Sequence, residues 1–311
     1  ALALLAAVCW ATGGLSAKWL FSPLDPTTRT WPVPPPGLEI DPVVLAGARA
    51  LVAAIMLLIY VAFTRRSELR IAWRDVPFLV LFGVAGLAAV HVTYFQAISY
   101  TNVATAILLE YLAPIVVLVV SVVFLGERLT PALPFGVLLS ITGCALVVGA
   151  FSSGGLAISA AGLAWGLSAA AFFALYSLLG KYAAPRYTPW TLLTWGLLFA
   201  GVFWVAYLGG LGRVIELVSH PAGASVVVYM AIFATIVPFG AFLAALHHID
   251  PTRAVVVSTL EPVIAGLAAY LLFRESFTVV QLAGGVLVIA AIVVVQNQPG
   301  AAPVEELPPA P

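Results

Sequence analysis

The sequence predicts an all-α integral membrane protein of ten transmembrane helices, arranged as two inverted five-helix repeats. Three observations support this prediction: few charged residues, ten apolar runs of spanning length, and an internal repeat. Of the 311 residues, 63% are hydrophobic and 8% are charged, whereas soluble domains carry about 25% charged residues. Polar side chains therefore cannot cover the exterior, and we expect lipid to cover most of it.

A helix that crosses a bilayer needs about 20 mostly apolar residues, and its backbone polar groups must pair within the helix. Ten runs meet this requirement: residues 1–22, 41–63, 76–98, 102–125, 131–150, 159–183, 189–211, 222–247, 251–273 and 279–297. The first run has no small-residue cleavage pattern after it, so we interpret it as a helix rather than a signal peptide. The eighth is the least regular, because Pro238 lies within it.

Two segments are predicted to be non-helical. The proline-rich stretch 23–40 is predicted to be an external loop. The tail 298–311, rich in Pro, Ala and Glu, is predicted to be disordered.

Four predicted helix starts place a capping side chain directly before a proline. A capping oxygen accepts a free N–H of the first turn, and proline at the first helical position has no N–H to leave unpaired. The pairs are Asp41-Pro42, Thr130-Pro131, Thr188-Pro189 and Asp250-Pro251.

Lysine and arginine residues concentrate on one side of the predicted bundle if successive helices alternate in direction. One side holds Arg65, Arg66, Arg70, Arg74, Arg128, Lys181, Arg186 and Arg253; the other holds Lys18, Arg29, Arg213 and Arg274. Cytoplasmic loops carry the excess of positive charge. Both termini are therefore predicted to be cytoplasmic, in a cell (inner) membrane.

The internal repeat relates residues 97–147 to residues 245–295 without a gap, at a spacing of 148, and the first run to the sixth at a spacing of 163. The matched positions include Pro114 with Pro262 and Glu127 with Glu275. Each copy holds five helices, an odd number, so the second copy enters the membrane from the opposite face. The copies are predicted over 1–150 and 151–297, with substrate bound near the midplane between them.

These residues also carry a family resemblance. The first copy contains Trp10, Gly13, Gly14 and Lys18, and the stretch from Ala97 through Pro114 to Leu125-Gly126-Glu127-Arg128-Leu129. The second copy repeats the latter pattern from Ala245 through Pro262 to Phe273-Arg274-Glu275. The chain resembles the EamA-type transporters of the drug/metabolite transporter (DMT) superfamily, most of all the aromatic amino acid exporters. The resemblance implies export of amino acids or related metabolites through an alternating-access cavity lined mainly by helices 1, 3, 4, 6, 8 and 9.

Ionisable side chains at membrane depth are costly and mark candidate functional sites. Glu110 lies in the fourth run, Glu261 in the ninth and His91 in the third. Tyr94 shares the His91 face because the two are three residues apart, and a short connection would bring Glu110 and Tyr111 near both. We interpret this group as a site for a cation, a proton or a substrate amino group. The alternative is hydrogen bonding within the bundle.

Aromatic side chains at helical spacing on the sixth run, including Trp165 and Tyr176, face the same way as Trp10 and Gly13 on the first run. Together with the polar residues they predict a cavity suited to a medium-sized, partly apolar zwitterion. The alternative is that they pack or face lipid. The predicted substrate-binding set is Trp10, Gly13, His91, Tyr94, Glu110, Tyr111, Trp165, Tyr176 and Glu261.

Two prolines, Pro114 and Pro262, lie within predicted helices at matched positions of the two copies. Each removes a backbone hydrogen bond. Both are candidate hinges for gating, with static kinks as the alternative.

Three other charged residues are interpreted as structural. Arg49 is expected to snorkel, or to pair with Glu39 or Asp41 at the external surface. Glu127 and Glu275 lie at helix ends, where capping or interfacial roles explain them.

Several functions are excluded or disfavoured. No G-x-x-x-x-G-K-[ST] motif is present, so ATP is not expected to drive the chain from within. The net charge is zero, and nothing indicates nucleic acid. Cys9 and Cys144 are interpreted as buried packing thiols. No cofactor is predicted, and a metal site at His247, His248 and Asp250 is disfavoured.

Three hypotheses follow. The first is a secondary exporter of aromatic or apolar amino acids, with a small-molecule substrate, the lipid bilayer and, in one version, a coupling proton as partners. The second is a transporter of lipophilic cations or nucleotide sugars; the latter would need more cavity cations than Arg49 supplies. The third is a membrane enzyme acting on lipid head groups, for which only residues 247–250 offer a polar cluster.

Overall fold

A computed structural model describes residues 1–22, 24–26, 28–36, 40–101, 103–151, 159–273 and 278–297. These residues form eleven main helices and no strands: α1 (Leu2–Phe21), α2 (Pro42–Thr64), α3 (Trp73–Tyr100), α4 (Ala104–Phe124), α5 (Ala132–Val147), α6 (Ala160–Ala183), α7 (Pro189–Tyr207), α8 (Gly212–Ser219), α9 (Pro221–Leu246), α10 (Pro251–Leu272) and α11 (Val279–Gln296). The predicted loop 23–40 contains a short 3-10 turn, Thr28–Thr30. The predicted disordered tail and Glu275 lie outside the described residues.

Eight of these helices are long and apolar enough to cross a membrane, namely all except α1, α5 and α8. Within α1 and α5 the apolar stretches are shorter, Leu2–Ser16 and Ala132–Val147. Large apolar side chains such as Phe63, Phe124 and Val279 are exposed on the outside of the bundle, where lipid replaces water as the solvent. The chain is therefore a multi-pass membrane protein, and the count of ten crossings stays a prediction.

Two of the four predicted caps are confirmed. The Asp41 carboxylate accepts from the Val43 N–H at 2.8 Å, and the Thr188 hydroxyl accepts from the Thr191 N–H at 3.2 Å. Asp250 occupies the N-cap of α10 without a capping bond, because its carboxylate lies 3.8 Å from Arg253 Nε instead.

The prediction for α5 was wrong by one residue. Pro131 is itself the N-cap, with helical backbone angles, and the helix begins at Ala132. Thr130 therefore lies too far from the first turn to cap it.

Irregular backbone recurs at positions that the sequence repeat relates to each other. A π-helical segment interrupts α3 at Phe82–Ala88 and α9 at Ile232–Ile236. In α9, Pro238 lies in the first turn of the regular helix that follows the π-helical segment, Val237–Leu246. The ends of the two π segments, at residues 88 and 236, are 148 positions apart, the spacing of the sequence repeat.

Two helices are broken near their middle. In α4 the break falls at Tyr111 and Leu112, and in α10 at Thr259 and Leu260, again 148 positions apart. Each regular helix resumes with a proline in its first turn, Pro114 or Pro262. Each interruption therefore lies at the point where the proline, which has no N–H to donate, weakens the helix.

Contacts between loops define two ends of the bundle. We call the end with the loops after α2, α4, α6 and α9 the basic end. There, Lys181 Nζ donates to the Leu246 and Ile249 carbonyls at 3.0 and 3.1 Å, which satisfies free carbonyls at the end of α9. At the opposite end, Arg213 pairs with Asp41 at 2.6 Å. These contacts fit helices that alternate in direction.

Glycines permit a close backbone contact between α5 and α11. A Cβ on Gly143 would lie 2.8 Å from the Gly284 carbonyl oxygen, and one on Gly284 would lie 2.7 Å from the Gly143 carbonyl oxygen. Small residues allow such backbone approach between membrane helices. This contact joins the last helix of each half.

Helix α8 was not predicted, because its eight residues fall between two apolar runs. Val214 and Leu217 are buried in a cluster with Val226 and Val227 of α9, and the other face is exposed. A short amphipathic segment lacks the run length by which the other helices were recognised.

Candidate functional site

Three ionisable side chains, each from a different helix, interact with one another inside the bundle. Arg49 of α2 interacts electrostatically with Glu110 of α4 and Glu261 of α10, and the two carboxylates interact with each other. Arg49 is buried, and both glutamates are half-buried. An unpaired charge at the centre of a membrane helix costs about 2.5–3.5 kcal/mol or more. Opposite charges within the bundle offset part of that cost.

The position of Arg49 differs from the prediction. It was expected to pair with Asp41, but Asp41 pairs with Arg213 at the opposite end, and Glu39 lies outside the described residues. The guanidinium carbon of Arg49 is 6.0 Å from the Phe95 ring centroid. Its Nε is buried and has no hydrogen-bond acceptor in the described part of the chain. The sequence analysis interpreted Arg49 as structural, and its surroundings now make it a further candidate for the site.

Tyr111 and Glu261 form a short polar contact between α4 and α10. The Tyr111 hydroxyl lies 2.6 Å from Glu261 Oε2 and 3.0 Å from the Ser258 carbonyl oxygen. Pro262 has no N–H to donate to the Ser258 carbonyl, four residues earlier. Tyr111 therefore contacts the Ser258 carbonyl, which has no helical N–H donor because residue 262 is a proline. The other free carbonyl of this break, that of Thr259, lies 3.6 Å from Cys144 Sγ.

His91 and Tyr94 lie beside this group on α3. Tyr94 interacts electrostatically with Glu110, Glu261 and Arg49, and His91 does so with Arg49. The His91 ring is buried and lies 5.4 Å from the Phe239 ring. The structure thus brings together five of the predicted site residues, His91, Tyr94, Glu110, Tyr111 and Glu261, and adds Arg49.

An aromatic cluster packs next to these polar residues, where α1, α6 and α9 meet. We define it as Trp10, Phe173, Tyr176, Phe239 and Phe242. The Trp10 ring lies 6.0, 5.2 and 5.6 Å from those of Phe173, Phe239 and Phe242. Edge-to-face pairs in this distance range are favourable. Trp10 Nε1 is buried without a hydrogen-bond acceptor among the described residues.

Two contacts near the cluster join residues that the repeat relates to each other. Trp10 and Phe173 are 163 positions apart, and His91 and Phe239 are 148 apart, the two spacings found in the sequence. Residues exchanged by a two-fold axis touch only close to that axis. These two contacts are of the kind expected if the site lies between the two predicted repeats.

The remaining predicted residues are placed differently. Gly13 faces α9, and a Cβ there would lie 2.5 Å from the Ala234 Cβ. Tyr176 is fully buried and donates to the Phe239 carbonyl at 3.2 Å. Trp165 is half-buried, and no ring contact recorded for the described residues joins it to the cluster. Their assignment to the substrate stays a prediction, since Gly13 and Tyr176 serve as packing residues in this conformation.

Of the two roles predicted for Glu127, capping is performed by its backbone, whose N–H donates to the Ser121 carbonyl at 3.0 Å at the end of α4; its side chain has a different partner. It is buried and accepts a hydrogen bond from the Thr252 hydroxyl at 2.7 Å. It thereby ties the loop before α5 to the first turn of α10. Within the described residues, no group of three or more His, Cys, Asp or Glu side chains could hold a metal ion.

Charged residues inside an apolar helical bundle are typical of substrate and ion pathways in polytopic membrane transporters. The sequence matches the EamA-like transporter family over residues 37–149 and 160–296, and the chain belongs to that family. This agrees with the DMT resemblance and not with the lipid-modifying enzyme.

Two relatives show which kinds of transporter the chain is similar to. The uncharacterized inner membrane transporter YicL of Salmonella typhimurium is 24% identical over 94% of this chain and 93% of its own. A probable terminal-alkyne amino-acid exporter of Streptantibioticus cattleyicolor is 26% identical over 72% of this chain and 74% of its own. A crystal structure of another protein, 19% identical, superposes with a TM-score of 0.76 over 94% of each chain; that likeness concerns the fold.

Proposed function

We propose that the protein exports amino acids, with aromatic or other apolar side chains, by alternating access between two inverted five-helix halves. The observation that carries the proposal is Arg49 beside Glu110 and Glu261, with a buried Nε that lacks an acceptor among the described residues. An α-amino acid has one carboxylate and one ammonium group. Arg49 would bind the carboxylate and Glu110 the ammonium.

The aromatic cluster adds the apolar part of the site. Trp10 is half-buried, and its indole N–H lacks an acceptor among the residues described. An aromatic wall beside a charged pair suits a substrate with one polar and one apolar end, because ligand sites combine mostly apolar lining with a few placed polar groups. The name of the Streptantibioticus relative, an amino-acid exporter, supports the same class.

The topology is part of the proposal. Ten crossings follow if α1 and α5 also span the membrane, and the recurrence of π segments and breaks at a spacing of 148 supports the two repeats. The positive-inside rule assigns the basic end to the cytoplasm. Both termini would then be cytoplasmic in an inner membrane, and the breaks beside Pro114 and Pro262 would act as hinges.

The test is counterflow of radiolabelled Phe, Met and Thr in proteoliposomes that contain the full chain. Arg49→Gln is expected to lower flux about tenfold or more, because a hydrogen bond to a charged group contributes about 1.5–3 kcal/mol. Arg49→Lys keeps the charge but not the planar guanidinium, so an intermediate flux is expected. The matched control is Arg213→Gln, whose exposed ion pair is remote from the site.

Two results would contradict the proposal. One is that none of the three amino acids moves; the other is that Arg49→Gln transports as well as the unaltered protein.

The second candidate is a carrier of lipophilic cations. It is favoured because the two carboxylates outnumber the one guanidinium, and aromatic rings lie beside them. It predicts that tetraphenylphosphonium flux persists or rises in Arg49→Gln and falls in Glu110→Gln.

A further inference from the structure

The Tyr111 hydroxyl has one proton but two acceptors within reach. Glu261 Oε2 lies at 2.6 Å and the Ser258 carbonyl oxygen at 3.0 Å. If Glu261 is ionised, both neighbours are acceptors, and Tyr111 can satisfy only one of them. If Glu261 is protonated, its carboxyl donates to Tyr111, and Tyr111 donates to Ser258. The protonated form therefore satisfies every polar group of this contact.

The charges at mid-span lead to the same conclusion independently. Arg49 contributes one positive charge, and Glu110 and Glu261 contribute two carboxyl groups. With both carboxyls ionised, the cluster carries a net negative charge at a depth where unbalanced charge is costly. One bound proton makes it neutral and leaves Arg49 and Glu110 as a complementary pair.

We infer that Glu261 is the coupling-proton site of the transporter, and that Tyr111 transmits its protonation state to the break in α10. The inference deepens the proposed function, on which its transport part rests. Proton binding forms the O–H bond of the Glu261 carboxyl, with a hydronium ion as the donor and water as the product. On release the proton returns to water, and Tyr111 turns its O–H from the Ser258 carbonyl to the carboxylate.

This exchange acts on the backbone at a weak point of the helix. The Ser258 carbonyl belongs to the turn directly before the break at Thr259 and Leu260, and Pro262 cannot supply it with a donor. When the Tyr111 O–H turns to the carboxylate, the Ser258 carbonyl loses its donor, and the junction between the halves of α10 loosens. Proton occupancy and helix geometry become linked, as proton-driven alternating access requires.

The other titratable groups around Glu261 have separate partners or roles. Arg49 and Glu110 form the pair that would bind substrate, and Tyr94 faces the same cluster from α3. Cys144 of α5 also interacts with Glu261, and its thiol lies 3.6 Å from the Thr259 carbonyl. Among the neighbours of Glu261, only Tyr111 is hydrogen-bonded to its carboxyl in the part of the chain described.

Infrared spectroscopy tests the proton site without a substrate. The full chain in proteoliposomes is titrated with pH, and the carbonyl stretch of protonated carboxylic acids is followed. Glu261→Gln is expected to remove one band, and Tyr111→Phe to keep that band but move it, because its hydrogen bond is lost. The matched control is Glu216→Gln, on the exposed face of α8, which should leave the band unchanged.

Several outcomes would overturn the inference. They are a band that survives Glu261→Gln, a band that Glu110→Gln removes instead, or a band that Tyr111→Phe does not move. If the Glu261→Gln variant does not fold, the position of the band in the Tyr111→Phe spectrum tests the inference by itself.

Transport of radiolabelled Phe tests the coupling. Glu261→Gln should abolish accumulation driven by a pH gradient, whereas the control Glu216→Gln should retain it. Gradient-driven accumulation that persists in Glu261→Gln would overturn the inference. If the unaltered protein moves no amino acid, the proposed function fails, and the infrared bands still decide the proton site.

Discussion

The Thr252 hydroxyl donates to the Glu127 carboxylate at 2.7 Å and links the loop before α5 to the first turn of α10. Both side chains are buried at the basic end of the bundle. Burial raises the pKa of Glu127, and the hydrogen bond from Thr252 opposes part of that rise. Burial thus favours the protonated form of Glu127, and the hydrogen bond from Thr252 stabilises its ionised form.

Thr252→Val should destabilise the protein by about 1–3 kcal/mol near neutral pH, because it leaves a buried carboxylate without its donor.

Stability should also depend on pH through Glu127, because its pKa is raised in the folded state. Its stabilising effect is therefore complete below the unfolded value of about 4.3 and is lost as pH rises through the folded pKa. Thermal unfolding in detergent across pH measures both effects. Glu127→Gln should flatten the profile, and an unchanged pH slope in that variant would refute the assignment.

The pair of Asp41 and Arg213 should behave differently because it is exposed. Burial acts to raise the pKa of Asp41, but hydrogen bonds from Arg213 and the Val43 N–H outweigh it, and the pKa is lowered. The stabilisation is then present above the unfolded pKa and lost as pH falls through the folded one. Asp41→Ala should cost about 1 kcal/mol through the lost cap.

Arg213→Gln should cost less than about 1 kcal/mol, and high salt should remove the effect. Denaturation in low and high salt compares the two variants. An Arg213→Gln penalty as large as that of Asp41→Ala, and insensitive to salt, would show that the ion pair rather than the cap stabilises this end.

The α5–α11 contact gives a steric prediction. Gly143→Ala places a methyl group 2.8 Å from the Gly284 carbonyl oxygen, so the helices must separate, at a cost of about 1–3 kcal/mol. Gly14→Ala is the matched control, since a Cβ there meets nothing within 4 Å. That control should be neutral or stabilising by up to about 1 kcal/mol. Equal unfolding temperatures for the two variants would argue against tight backbone contact.

Helix positions could be predicted from the sequence because run length and proline position are local properties. The start of α2 at Pro42 and the breaks beside Pro114 and Pro262 follow from residues within one turn. The repeat added the relation between the two breaks, because matched prolines produce matched interruptions.

The partners of the charged residues could not be predicted in the same way. Arg49 was expected to snorkel, or to pair with Glu39 or Asp41 at the external surface, but it interacts with Glu110 and Glu261 inside the bundle. The contact of Tyr111 with Ser258 joins residues 147 positions apart. It depends on how α4 and α10 face each other, which no local pattern encodes.

The break in α10 yields a prediction that separates stability from transport. Pro262→Ala supplies an N–H that can donate to the Ser258 carbonyl, so α10 should become more continuous. Proline within a helix is about 3 kcal/mol less favourable than alanine; the variant should therefore unfold at an equal or higher temperature. Its counterflow of radiolabelled Phe should fall, because Tyr111 then competes with the backbone for that carbonyl.

Pro251→Ala is the control for this prediction. Pro251 occupies the first turn of α10, where an N–H has no intrahelical acceptor, so flux should change little. If Pro262→Ala transports as well as the unaltered protein while its unfolding temperature rises, the break is a static kink rather than a hinge. A loss of flux in both variants would instead point to a general effect of proline removal, because only Pro262 adjoins the carbonyl that Tyr111 reaches.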